Sequence, residues 1–392
     1  MSLSTRDDFK ERNNYMNISI ITRHNIINYG SVLQALALQK ILENEGHKAE
    51  IIDYIREDED YRTIAKVLVS RNKKWNSNIF TRMLFVAGKS FEFYFGGKKF
   101  EAIRNTYLNL TNKRYASLKE LIAEPPMADL YMTGSDQVWG GIGQNAYDPV
   151  FFLDFAPQDV RKVSYAASLG RTDFSNEVLS TYKKLLSSYS VITVREKSAQ
   201  RIIANLGYPE TKQVLDPTLL LSAEQWDNIV ATEKSRFAET NQKYILVYQR
   251  RPNREIDEYA DKLSKKTGLP VYRLSADFHQ VLRGGKLILL PNLHEFIDYL
   301  KHTTFLITDS FHGTAFAINY NVQFVDVLPK GTATRNLSIL ELTNLSDRVV
   351  KDFSDLSCIN QKIDFSVANE IICAERERSL QVLRDMIQGA TK

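Results

Sequence analysis

The stretch NISIITRHNIINYGSVLQALALQKILENEGHKAEIIDY, Asn17 to Tyr54, decides the fold. Asn17 to Thr22 is a short apolar run of the length of a buried strand. From Ser31 to Asn44, apolar side chains recur at Val32, Ala35, Leu36, Leu38 and Leu42, which is a helical spacing. Gly46 follows as the residue type that ends such a helix. Ala49 to Tyr54 then reads as a second strand. Strand, helix and strand in so short a span make a βαβ unit, whose strands lie parallel.

Outward from this unit the same rhythm recurs. Strands are expected at Asp129 to Thr133, Lys162 to Ala166 and Ser190 to Val194, with a helix over Glu177 to Leu186. Val214 to Leu221, followed by a polar helix toward Asn241, reads as a link. A second half opens with the strand Tyr244 to Tyr248 and the helix Glu255 to Lys266. It continues with strands at Val271 to Leu274, Leu287 to Leu290, Phe305 to Thr308 and Gln323 to Val327. Helices fit Leu293 to Lys301 and Gly313 to Asn319. The pattern predicts an α/β protein of two Rossmann-like parallel-sheet domains, 16–240 and 241–350, with a cleft between them. Sheets of this kind bind ligands beyond the carboxyl ends of their strands. Residues 351–392 are expected to form a helical tail, Val367 to Ile387, that packs back on the first domain. Residues 1–15 read as a disordered lead-in, with Met16 the expected natural start.

Residues 61–104 break the rhythm. They carry ten Lys/Arg against two acidic residues, a net of +8, interleaved with aromatics such as Trp75, Phe80, Phe91 and Phe95. This segment is expected to be a helical insertion in the first domain. It is either a lid over the cleft or a surface for anionic lipid headgroups.

The chain has 392 residues, 43% hydrophobic and 25% charged, with a formal net charge of +4. That mixture is globular, and the charge is too mild to argue for nucleic acid. No apolar run reaches membrane-spanning length, and the N-terminus is polar. The two cysteines, Cys358 and Cys373, form no metal or disulfide pattern. A cytoplasmic enzyme without cofactor or metal is expected, at the inner membrane face if its substrate is lipid-linked.

Four clusters fall at strand ends. Asn28, Gly30 and Ser31 form a small turn at a helix start, suited to an anion or to plain capping, with His24 and Asn25 just before it. Gly134, Ser135, Asp136, Gln137 and Trp139 offer hydrogen bonds to sugar hydroxyls, with Trp139 either stacking on a sugar or filling the core. Arg195 has the planar fork that grips carboxylate or phosphate, or else pairs with Glu196 at the surface. Ser310, His312 and Gly313 begin a helix after a strand. There a histidine can bind phosphate or move a proton. Lys330 lies just past the next strand and offers another cation.

Read in order, the segments IITRHNIINYGSVLQALALQKILENEGHKAEIIDY, GSDQVW, DPVFFLDF, VSYAASLG, VREKSA, VLDPTLL and DSFHGTAFAIN resemble the polysaccharide pyruvyl transferase family. The resemblance runs from about Met16 to about Arg348, and the basic insertion is its least matched part. It implies a GT-B-like fold and transfer of pyruvate from phosphoenolpyruvate onto two hydroxyls of a saccharide, giving a cyclic ketal and phosphate. It assigns the family's functional arginine to Arg195, its histidine to His312, its later basic residue to Lys330, and its turn after the first strand to Asn28 and Gly30. Where many members carry an acid after that turn, this chain has Ser31. On this reading Arg195 holds the carboxylate of phosphoenolpyruvate. Lys330 and the helix start at His312 hold its phosphate, and His312 is the acid. The expected partners are phosphoenolpyruvate and a saccharide acceptor, lipid-linked or nucleotide-linked. Two rival readings are a nucleotide-sugar glycosyltransferase on the same fold and a catalytically silent saccharide-binding module.

Overall fold

The computed structural model describes residues 15–71, 75, 77–141, 147–231, 235 and 242–389. All of the expected lead-in except Tyr15 lies outside these residues. So does most of the span between Ala231 and Asn241, where the polar helix after Leu221 was expected to continue.

Two fully parallel sheets organise the chain. The first contains β1 (Asn17–Ile21), β2 (Lys48–Ile51), β3 (Leu130–Thr133), β4 (Arg161–Ala167), β5 (Val191–Val194) and β6 (Lys212–Gln213), in the order β2-β1-β3-β4-β5-β6. The second contains β7 (Ile245–Tyr248), β8 (Val271–Ser275), β9 (Lys286–Leu289), β10 (Phe305–Thr308) and β11 (Phe324–Asp326), in the order β11-β10-β7-β8-β9. Strands β3, β7 and β10 are buried along their whole length, as parallel strands covered by helices on both faces must be. In each sheet the chain leaves the starting strand in one direction and later returns on its other side. The crevices of this reversal lie between β1 and β3 in the first sheet, and between β7 and β10 in the second.

Seven helices bear on the site and are numbered here in chain order. They are α1 (Tyr29–Asn44), α2 (Ile64–Arg71), α3 (Ile79–Tyr107), α4 (Pro217–Leu220), α5 (Phe311–Asn319), α6 (Thr334–Leu342) and α7 (Ser366–Gln388). Helix α1 is apolar nearly all round, and most of its residues are buried, because it is covered from two sides. Its first residue, Tyr29, stacks on Phe296 of the second domain at 4.4 Å and donates its hydroxyl to the carbonyl of Pro291. One apolar core therefore runs across both domains.

The basic insertion is helical, as α2 and the 29-residue α3. Gly97 lets α3 lie against the ring of Tyr61, where a Cβ would overlap it. The segment read as a link, Val214 to Leu221, is instead buried beside the first sheet and contains α4. Helix α7 returns to the first domain. Arg161 on β4 donates to the carbonyls of Met386 and Ile387, and Arg384 pairs with Glu45 through two 2.8 Å contacts.

Candidate active site

The loops at the two crevices face each other and enclose a cavity of about 200 Å³. The first domain contributes Ile26 and Asn28 after β1, and Asp136 and Gln137 after β3. The second contributes Arg250 and Arg251 after β7, and Asp309 to His312 after β10. Pro329, Thr332 and Arg335 complete the wall.

Three helices start at this cavity, through Asn28 before α1, Ser310 before α5, and Thr332 and Arg335 around the start of α6. Helix starts carry unpaired N–H groups and the positive end of the helix dipole. Asn28 and Ser310 cap their own helices, accepting from the N–H groups of Gly30 and Gly313. Helix α6 begins after Ala333, which has no side chain to cap it. With three arginines in the same wall, the cavity is built for an anion.

His312 is at the centre and almost fully buried. Its ring lies on the backbone of Gly30. A Cβ at Gly30 would come within 2.7 Å of Cε1 and nearer still to Nδ1 and Cγ. Glycine is needed there because the two domains touch at this point. On the other edge, Nε2 has no hydrogen-bond partner and lies 3.9 Å from Oδ1 of Asp216. Burial, aided by the charge of Arg195, pushes the imidazole down to about 4, although Asp216 and Asp136 pull the other way. The ring is therefore neutral at pH 7. To act as the acid expected from the sequence, His312 must first gain a proton.

Asp216 organises the buried side. Oδ2 accepts from Nη1 of Arg195 at 2.6 Å and from Oγ of Ser135 at 2.8 Å. Oδ1 accepts from the backbone and hydroxyl of Thr218. Burial raises this carboxyl, but Arg195 and His312 outweigh burial and hold it below the usual range. Asp136 is likewise held low, by Arg195, His312, Arg23 and Arg335 against the effect of burial. It adopts φ of +77°, a left-handed conformation that aspartate tolerates better than most residues, and accepts a 2.6 Å bond from Oγ of Ser31. Burial lowers Arg335 to about 10, with Arg195 adding to the effect.

The predicted residues divide. Asn28, Asp136, Gln137, Ser310 and His312 line the anion cavity. Gly30 and Gly313 shape it through close packing, Gly30 against His312 and Gly313 against Thr308 and Tyr248. Arg195 opens instead on a neighbouring cavity of about 150 Å³, with Phe311 and Arg335 forming the shared wall. Its contact with Glu196 is buried and not at the surface, with Nε 4.0 Å from Oε2, while Oε1 of Glu196 accepts from Ser168, Leu169 and Gly170. The guanidinium lies 4.4 Å over the ring of Phe311, and its Nε and Nη2 have no hydrogen-bond partner.

Three expectations are corrected by packing. Trp139 is fully buried, stacks on Phe152 and donates to the carbonyl of Phe151, so it offers no face to a sugar. Gly134 and Ser135 lie beneath the cleft, Gly134 against Ile20 and Thr22, and Ser135 on Asp216. His24 is buried between Asp53 and the carbonyl of Thr22, and Asn25 is also buried. Lys330 is exposed and does not line the anion cavity; it lines an adjoining one that shares Arg251, Asp309 and Pro329 with it, and Arg251 donates to its carbonyl. The cations that share the cavity wall with His312 are Arg250, Arg251 and Arg335, which the sequence reading passed over. The signal was available for two of them, since Arg250 and Arg251 come one residue after the strand Ile245–Tyr248.

A larger cavity of about 370 Å³ adjoins the first and shares Ile26 and Arg250 with it. Its wall mixes carboxylates, including Asp58, Glu59 and Asp277, with Tyr61 and with Phe93 of α3.

Fold and site thus define a two-domain α/β protein with an anion cavity at the junction of its sheets. S. aureus MnaA, in its UDP co-structure, is similar in fold: TM-score 0.53, 12% identity, covering 95% of this chain and 97% of that one. The UDP-GlcNAc 2-epimerase of Neisseria meningitidis bound to UDP-GlcNAc is also similar: TM-score 0.50, 11% identity, covering 95% and 99%. The architecture is of the GT-B type. No curated protein sequence matches the chain. The sequence profile of the polysaccharide pyruvyl transferases matches residues 28–328. The chain belongs to the polysaccharide pyruvyl transferase family, and it is a transferase.

Proposed function

We propose that the protein transfers pyruvate from phosphoenolpyruvate to two hydroxyls of a saccharide as a cyclic ketal, releasing phosphate. One observation carries this reading: His312 stands in a small cavity walled by three arginines and three helix starts. Phosphoenolpyruvate presents a carboxylate and a phosphate on three carbons. The cavity is smaller than the roughly 300–1,000 Å³ usual for larger organic ligands. Arg250, Arg251 and Arg335 hold the two anionic groups, and the uncapped start of α6 adds N–H donors.

The neutral resting state of His312 assigns the protons. The imidazole takes the proton of the first hydroxyl, whose oxygen bonds to the enol carbon as the C=C π pair is drawn to the methylene carbon by protonation there. The imidazolium, stabilised by Asp216, delivers that proton to the methylene carbon, which becomes the methyl group. The carbon–oxygen bond to phosphate then breaks, and its electron pair leaves with phosphate. The second hydroxyl bonds to the same carbon, and its proton leaves on the phosphate. Both hydroxyl protons are accounted for, one in the methyl group and one in phosphate. Arg195 is a positioning residue here, holding Asp216 against His312, in place of the carboxylate grip first expected of it. The adjoining cavity, with carboxylates for hydroxyls and aromatic side chains for the ring face, takes the acceptor.

The test is incubation with phosphoenolpyruvate and a panel of lipid-linked and nucleotide-linked sugars, following phosphate release and acceptor mass. Release together with an acceptor bearing a pyruvate ketal supports the reading. Absence of phosphoenolpyruvate binding by calorimetry, with binding of a UDP-sugar instead, refutes it.

A further inference from the structure

Helix α3 has two apolar faces, and only one is covered. Near its C-terminal end Gly96, Gly97, Phe100 and Ile103 are buried. Along the other face Ile79, Phe80, Met83, Leu84, Phe91 and Phe95 are each more than half exposed. At 100° per residue these positions fall within one arc of the helix, and with 1.5 Å per residue the stripe is about 24 Å long. Single exposed apolar residues are ordinary on a protein surface, but a continuous stripe is not. The second domain extends the patch. Phe278 lies 6.4 Å from Phe91 and 6.5 Å from Phe95, and its loop continues into Leu282, which is 97% exposed.

Charge identifies the occupant. Residues 61–104 have a net charge of +8 in a chain whose total is +4, so the remaining residues sum to −4. Arg82 borders the stripe on one side, Lys99 on the other, and Lys98 closes its C-terminal end. Cores of protein–protein interfaces are depleted in lysine. An apolar face edged with basic residues is the composition of a helix that lies in the headgroup region of an anionic bilayer. Among the described residues no helix is long and apolar enough to cross a membrane, so the contact is with one surface.

We propose that the exposed face of α3, with the loop at Leu282, docks the protein on an anionic lipid bilayer. The opposite face of the same helix contributes Glu92 and Phe93 to the larger cavity. Docking therefore holds that cavity about one helix diameter, roughly 10 Å, from the bilayer, within reach of the sugar of a lipid-linked saccharide. The docking surface itself does not depend on the reaction proposed above.

The experiment is co-sedimentation of the full chain with vesicles of phosphatidylcholine, alone or mixed with phosphatidylglycerol. It is run for the wild type, for Phe80→Asp/Leu84→Asp, and for Arg82→Glu/Lys99→Glu. Each basic residue held near an anionic surface is worth roughly a fivefold gain in partitioning. The expected result is at least about tenfold preference for the anionic vesicles, weakening with added salt. Both double variants should lose it while keeping the wild-type melting temperature. Equal partitioning to the two vesicle types, or retention of binding by both variants, overturns the proposal. So does a concentration-dependent dimer in light scattering that Phe80→Asp/Leu84→Asp dissociates in the absence of vesicle binding, because the face would then belong to a second copy of this chain.

Discussion

Replacing Gly30 by alanine sets two effects of opposite sign against each other. Gly30 is the second residue of α1, where alanine is favoured over glycine by up to about 1 kcal/mol. The new Cβ, however, would lie within 2.7 Å of Cε1 of His312 and nearer to two other ring atoms. Favourable separations between such atoms are about 3.5–4 Å, so the ring must move by roughly 1 Å or more. The ring is buried, so it can yield only by shifting into the anion cavity it lines or against its packed neighbours, and overpacking of this kind costs about 1–3 kcal/mol. The net effect is a loss of up to about 2–3 kcal/mol. Displacing a reacting group by about 1 Å costs on the order of 100-fold in rate. Three measurements check this: thermal stability, phosphoenolpyruvate affinity by calorimetry, and titration of the His312 ring by NMR. In a His312→Ala background the overlap vanishes, and Gly30→Ala should become stabilising by up to about 1 kcal/mol. The two substitutions are therefore expected to couple by about 1–3 kcal/mol. A Gly30→Ala protein that is more stable than wild type, with unchanged affinity and an unchanged His312 titration, would refute the reasoning.

Other expectations follow from the same geometry. Because His312 is held down to about 4, its contribution to stability is complete above about 6.5. That contribution is lost as pH falls toward 4, about 3 kcal/mol in all, and His312→Asn should flatten this part of a pH–stability curve measured by denaturant unfolding. Asp326 acts in the opposite sense. Burial raises its carboxyl to about 6, despite bonds from Thr314 and Asn336, so its contribution is complete below about 3.8 and is lost as pH rises through 6. Asp326→Asn should therefore gain stability relative to wild type at pH 8 by about 1–3 kcal/mol in the same assay. Arg250→Ala and Arg335→Ala should each weaken phosphoenolpyruvate binding by roughly 10- to 100-fold in calorimetry, whereas Lys330→Ala should change it little. Trp139→Ala should cost about 3–5 kcal/mol in unfolding experiments, as a core substitution.

The architecture was readable because its signal is local. Asn17 to Tyr54 carries strand length, helical spacing and a terminating glycine within one short window, and the strand at Phe305 to Thr308 fell where Phe305, Leu306 and Ile307 stand. His312 was found because it directly follows such a strand. Trp139 could not be settled from its neighbours. Polar Ser135, Asp136 and Gln137 precede it, but its surroundings, Phe152 and Tyr189, come from elsewhere in the chain. Asp216 was concealed within VLDPTLLL, an apolar segment read as a connection, although Asp before Pro is a plain helix-start signal. Lys330 and Arg251 illustrate a further difficulty. Both follow strands of the second sheet and line one cavity, and only the path of the loops lets Arg251 reach the cavity of His312 as well.

The return of α7 has a consequence for how the chain is made. The amide of Leu215 donates to Ser379, and the side chains of Arg161 and Glu45 are also engaged by residues beyond 378. A ribosome that has finished the entire first sheet still holds a structure whose outer wall has not been synthesised. Val382, Leu383 and Met386 are buried in the same core as the helix and strands of the opening βαβ unit. Contacts this distant in sequence are slow to form, and the surfaces awaiting them are open to aggregation until the last turn of the chain emerges. Nonsense mutations that remove only the final helix should thus yield insoluble protein, although every residue of the catalytic cleft has been translated.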